Sequence, residues 1–133
     1  MLFKRRFHPQ ADKVPGKAFR TRREPGKMNG MEKEYSEVVL DKRLEAGEIA
    51  RWYFEHLTFR LADRTTLTPD FFVITAVGHF EIYETKGHWE DDARVKFKVA
   101  AEMYPWARWF AVTKLPKKEG GGYKVEEFAK DKL

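Results

Sequence analysis

Apolar and polar positions change their period several times along this chain, and each change marks an element. Between residues 31 and 46, Tyr35, Val38, Val39 and Leu44 recur at helical spacing. Asn29 stands where an N-cap is needed, Glu32 and Glu34 bring negative charge to the first turn, and Gly47 supplies a C-terminal stop. A helix over 31–46 follows, with those four apolar residues on its buried face. Residues 50–61 are rich in aromatics and alternate, with a slip near His56 and Leu57 that predicts a bulge within one long strand. Asp63-Arg64 marks a turn. Residues 67–74 form a second strand whose Phe71, Phe72, Val73 and Ile74 fall on both faces, the pattern of a central strand covered on each side.

Gly78 turns the chain into a third strand, 79–86. A helix over 90–103 opens on Glu90, Asp91 and Asp92, repeats Val95, Val99 and Met103 every four residues with Ala100 beside them, and stops at Pro105. Residues 108–113 give a fourth strand, 114–122 a basic glycine-rich loop, and 123–128 a short strand or helix. The order αβββαβ predicts an α/β (α+β) fold: a central mixed sheet of four to five strands flanked by helices. The third and fourth strands should be parallel, because a helix carries the chain between them.

A length of 133 residues suits one domain with one core. Residues 1–28 hold nine basic side chains to two acidic ones, which leaves the rest of the chain at −2 of a total of +5. The expectation is a basic, extended arm over 1–28, broken by Pro9, Pro15 and Pro25, ahead of a body over 29–133. Such an arm suits a polyanion, with Arg20, Arg22, Arg23 and Lys27 as phosphate contacts. The apolar runs are too short to span a bilayer, the basic N-terminus lacks the apolar stretch of a signal peptide, and cysteine is absent. These features point to a cytoplasmic protein with no membrane partner and no thiolate metal site.

Candidate chemistry gathers where Pro69-Asp70 opens one strand and Glu84-Thr85-Lys86 lies within the next. Residues two apart on a strand share a face, so Glu84 and Lys86 point together, with Glu81, Tyr83 and Thr85 on the other side. Asp70 on the adjacent strand comes within reach of Glu84. Paired carboxylates repel unless a cation lies between them, and oxygen donors select Mg²⁺ or Mn²⁺. An ion there with a lysine beside it is the equipment for phosphodiester hydrolysis. Trp89, just past Lys86, is a candidate for stacking on bases.

The segments MNGMEKEY (28–35), GEI (47–49), TPDFFVI (68–74), YETKG (83–87) and DDARVKFKVAAEMYP (91–105) resemble the PD-(D/E)xK nuclease superfamily. Within it they are similar to small phage and prophage endonucleases related to Holliday-junction resolvases. The resemblance implies a restriction-endonuclease-like fold and Mg²⁺- or Mn²⁺-dependent hydrolysis of DNA, with branched DNA as one candidate substrate, in a phage-infected or prophage-bearing bacterium. It implies Asp70 and Glu84 as metal ligands with the Thr85 carbonyl, Lys86 as the catalytic lysine, and Glu32 as the acid of the first helix, where Glu34 and Glu37 compete. It also implies Lys96, or Lys98, as a DNA contact on the following helix. Three alternatives stay open: an inactive DNA-binding or recombination accessory protein on the same fold, RNA as substrate, and a homodimer whose two sites cut both strands.

Overall fold

The computed structural model describes residues 26–129, which form an α+β unit around a mixed five-stranded sheet. Asn29 caps α1 (Gly30–Tyr35) through a capping box: its Oδ1 accepts the Glu32 N–H at 2.9 Å, while its own N–H donates to Glu32 Oε2 at 3.0 Å. The helix runs on through a π-helical segment, Ser36–Leu40, into α2 (Asp41–Glu45). Then come β1 (Ile49–Phe54), β2 (Phe59–Ala62), β3 (Thr65–Leu67), β4 (Phe71–Thr75), β5 (Phe80–Lys86), α3 (Asp91–Met103), β6 (Arg108–Lys114), a 3₁₀ turn (Lys117–Glu119) and β7 (Tyr123–Phe128). The main sheet is ordered β1-β4-β5-β6-β7, with β5 and β6 parallel as expected and the other pairs antiparallel. Strands β2 and β3 form a separate hairpin.

Strict alternation along the central strands sends side chains into two cores. Phe72, Ile82, Trp109 and Ala111 face Phe97, Ala100, Ala101, Trp89 and Phe59 on the α3 side. Phe71, Val73, Tyr83, Phe110 and Val112 face Tyr35 and Leu40 on the α1 side. That two-sided burial is the physical reason for the continuous apolar run in β4.

Three expectations from the patterning need correction. The strand expected over 50–61 is two strands in different sheets, because Glu55 adopts φ 47° and ends β1. The strand expected over 67–74 is likewise divided, Leu67 closing the hairpin and Phe71 opening β4, so the order is αβββββαββ. Both helices bury only part of the face expected: Tyr35, Val39 and Ala100 do turn toward the core, and the rest do not. In the first, the π segment inserts a residue into the repeat after Tyr35, so Ser36 and Leu40 join Tyr35 on the inner side while Val38 and Leu44 are exposed. In α3, Val95, Val99 and Met103 are exposed at 61%, 38% and 48%; Phe97, Ala100 and Ala101 are buried, with Ala93 and Tyr104 packed beside them. The latter set follows i, i+4, i+7, i+8 and i+11, and its alanines let the helix axis approach the sheet closely. Among the described residues, no helix is long and apolar enough to cross a membrane.

Candidate active site

The ladder between β4 and β5 decides how Asp70 meets its neighbours. Phe71 pairs with Tyr83, and the same register one and two residues on sets Asp70 beside Glu84 and Pro69 beside Thr85. Proline has no N–H, so the ladder cannot continue there. The Asp70 carboxylate takes over: its Oδ2 accepts the Thr85 N–H and the Thr85 hydroxyl, both at 2.8 Å. In return the Asp70 N–H donates to Glu84 Oε1 at 3.1 Å. The Asp70 carbonyl accepts the Glu55 N–H at 2.7 Å, so the bend that ends β1 also holds the loop before β4. Within a strand the N–H and C=O of one residue project to the same edge, so the Thr85 carbonyl points the way its N–H does, toward Asp70.

Asp70, Glu84 and Thr85 are all buried. Burial, and next the charge of Asp70, push the Glu84 carboxyl well above the usual carboxylate range. The ordinary remedies are a proton or a cation. Among the described residues no cluster of three or more acidic or histidine side chains surrounds a common point. The oxygens at this junction that could hold a cation are those of the Asp70 and Glu84 carboxylates and the Thr85 carbonyl, all hard donors. That set fits Mg²⁺ or Mn²⁺, which bind through one or two carboxylates and complete their shells with water and phosphate oxygens.

In front of Glu84 is a cavity of about 230 Å³ lined by Glu84 and Lys86 of β5, Trp89, Asp92, Lys96 and Phe97, with Leu67 of the hairpin and Ala93 completing the wall. Glu84, Lys86 and Lys96 thus share one space, while Asp70 and Thr85 back it. Lys86 Nζ lies 5.6 Å from the centre of the Trp89 ring, within cation–π range. A larger cavity of about 300 Å³ lies at the other end of α3, beside Arg108 and Glu127; their bidentate pair, 2.8 Å on each arm, cancels the local charge.

Other candidates are distributed differently. Trp89 is buried, packs edge-on against Phe97, and donates its indole N–H to the Val112 carbonyl at 3.3 Å. It is 9% exposed and lines the cavity beside Lys86, so what surface it offers lies within that cavity. Lys98 is exposed and does not line the cavity. Glu32 is buried, and its helix packs on β5, Met31 Cε lying 3.3 Å from where a Cβ on Gly87 would stand. Yet Glu32 closes the capping box in the α1 layer and does not line the cavity. Of its competitors, Glu34 is bound to Lys114 at 2.5 Å and Glu37 is exposed. Lys27 is exposed, whereas Arg20, Arg22 and Arg23 lie outside the described residues.

The patterning missed two features. Asp92 reads as an ordinary acid of a helix first turn, yet it lines the cavity. The hairpin wall was hidden inside two predicted strands. Glu81 faces away from the cavity, as alternation requires, and it is held by Arg43 at 3.1 Å and by the Tyr83 hydroxyl at 2.9 Å.

Glu84 carries a pH prediction. Its folded-state pKa is raised, so its stabilising contribution is complete below the ordinary carboxylate range and is lost as pH rises through the elevated value. Glu84→Gln keeps an oxygen for the Asp70 N–H and has no charge to bury. In metal-free buffer it should match wild type near pH ~4 and exceed it by roughly 1–3 kcal/mol near pH ~8, the scale of one uncompensated buried group. Urea unfolding at the two pH values checks this; equal stability at both would contradict the burial argument.

No protein-family model matches the chain, and neither a curated protein nor a solved structure matches it.

Proposed function

We propose that this protein is a Mg²⁺- or Mn²⁺-dependent endodeoxyribonuclease of the PD-(D/E)xK type, with the restriction-endonuclease-like arrangement of its sheet. The observation that carries this reading is the junction of β4 and β5. There Pro69 interrupts the ladder, the Asp70 and Glu84 carboxyls are bound to each other's strands, and Lys86 opens with Glu84 into one cavity.

Asp70, Glu84 and the Thr85 carbonyl would hold the ion, which supplies a polarised phosphoryl oxygen and a more acidic water. The residues do the remainder. Lys86, against the Trp89 ring, brings an ammonium to the charge that develops on the phosphate. Lys96, one side of the same cavity, holds a neighbouring phosphate oxygen. Phe97 and Leu67 exclude bulk water from one wall. Glu32 acts through the packing of α1 on β5. The basic residues Arg20, Arg22, Arg23 and Lys27 add sequence-independent attraction for DNA.

The test is incubation of the purified protein with supercoiled plasmid and with branched DNA, in Mg²⁺, in Mn²⁺ and in EDTA. Metal-dependent nicking or linearisation is expected. Cleavage that persists in EDTA overturns the reading. One observation favours a second reading, a DNA-binding accessory protein without activity: Asp70 Oδ2 and Glu84 Oε1 are already satisfied by backbone and hydroxyl donors. Tight DNA binding without cutting under either ion selects it.

A further inference from the structure

Of the β2–β3 hairpin only the Asp63-Arg64 turn was legible in the patterning, and only Leu67 enters the chemistry above, yet its foot is firmly packed. At its foot, the Thr58 and Thr68 hydroxyls bond each other at 2.8 Å. Phe59 is buried among Tyr104, Trp106 and Trp109, and the Tyr104 hydroxyl donates to the Arg60 carbonyl at 2.5 Å. Both strands pack on α3, and Leu67 is part of the cavity wall. The far end is the opposite in character: the side chains of Arg60 and Asp63 are 70% and 87% exposed, and Arg64 is exposed as well.

Arg64 has φ 54°, in the left-handed region that favours glycine or asparagine. That conformation belongs to the tight β2–β3 turn, and among the described residues the Arg64 side chain makes no ion pair or hydrogen bond, so its guanidinium is open to a ligand. Arg60 has only a loose pair with Asp63, at 3.8 Å, and a 3.4 Å bond to the Ala62 carbonyl. Three residues separate Leu67 from Arg64, roughly 10 Å of extended chain. At 3.4 Å of axis per nucleotide of one strand, that is about three base steps. A two-stranded ribbon also fits the width of a DNA groove.

We propose that this hairpin is a second DNA contact, with Arg64 engaging a backbone phosphate of a duplex about three base steps from the phosphate in the cavity and Arg60, level with Thr66 across the ladder, engaging one nearer to it. The proposal rests on the nuclease reading for the position of the scissile phosphate, but its test does not require cutting. Duplex binding is measured in EDTA by fluorescence anisotropy over a range of salt concentrations. The proteins compared are wild type, Arg64→Gly, Arg60→Gln/Arg64→Gly, and the control Lys42→Gln. Lys42 is on α2, outside the hairpin and the cavity lining, and its side chain is 69% exposed.

Each lost phosphate contact lowers the slope of log K against log salt by about 0.9. The expected result is a slope reduced by about 0.9 in Arg64→Gly and about 1.8 in the double variant, with affinity down about tenfold or more in the latter. Lys42→Gln should leave the slope unchanged. Arg64→Gly should melt no lower than wild type, since glycine relieves the φ 54° conformation; a structural arginine would give a lower melting temperature. An unchanged slope in the double variant, an equal loss in Lys42→Gln, or no duplex binding by wild type overturns the proposal. If wild type binds with the expected slopes but never cuts in Mg²⁺ or Mn²⁺, the nuclease reading fails and the hairpin contact stands.

Discussion

Asp70→Asn is expected to reduce metal-dependent plasmid cleavage by about 10³-fold or more, a loss of roughly 4 kcal/mol of transition-state stabilisation. The asparagine keeps an oxygen for the Thr85 N–H and hydroxyl, so the β4–β5 junction should survive and the protein should still fold. What disappears is one of the two carboxylates, Asp70 and Glu84, that meet at the β4–β5 junction. Lys86→Ala should cost a similar factor by a different route, leaving metal binding intact while removing the ammonium from the cavity. Mn²⁺ titration followed by calorimetry separates the two: Asp70→Asn loses binding and Lys86→Ala retains it. Full cleavage by either variant would remove the basis of the proposed function. Glu81→Gln is a poor neutral control despite facing away from the cavity, because it weakens the bond from buried Glu81 to Arg43 that ties α2 to β5. Glu119, exposed in the 3₁₀ turn, serves better.

Phe97→Ala is expected to destabilise the fold by about 3–5 kcal/mol, whereas Val99→Ala should cost about 0.5 kcal/mol or less. Phe97 is 1% exposed and meets the rings of Trp89, Trp109 and Phe128, so its truncation leaves a cavity that the sheet cannot fill. Val99 stands on the outer face. The contrast matters because hydrophobic spacing alone predicts the reverse. Urea unfolding checks it through the midpoint at constant m-value. Equal costs would mean that α3 is rotated from the position described above.

The reach of the patterning can be judged from these same residues. The Asn29 cap, the Gly78 turn, the two-faced burial of β4 and the parallel β5–β6 pair depend on local rules, and each was legible. The inward face of α3 was not, because two alanines and one phenylalanine win over two valines and a methionine only where a flat sheet demands close approach. The face of the first helix was illegible for another reason. One extra residue in a π turn shifts every later position, and the hydrogen bond responsible, from the Asp41 N–H to the Ser36 carbonyl, leaves no mark on apolar spacing.

At the candidate site, the chain alone placed Asp70, Glu84 and Lys86 on adjacent strands and put Glu84 and Lys86 on one face, because strand alternation and the missing N–H of proline are properties of the residues themselves. Only the tertiary structure decided that Asp70 is held by Thr85 and Glu55, that Asp92 and Lys96 share the cavity with Glu84, and that a hairpin forms its wall. Those outcomes depend on how distant segments pack, and the left-handed turn at Glu55 that swings the hairpin out of the sheet is stabilised by the Asp70 carbonyl, fifteen residues further along the chain.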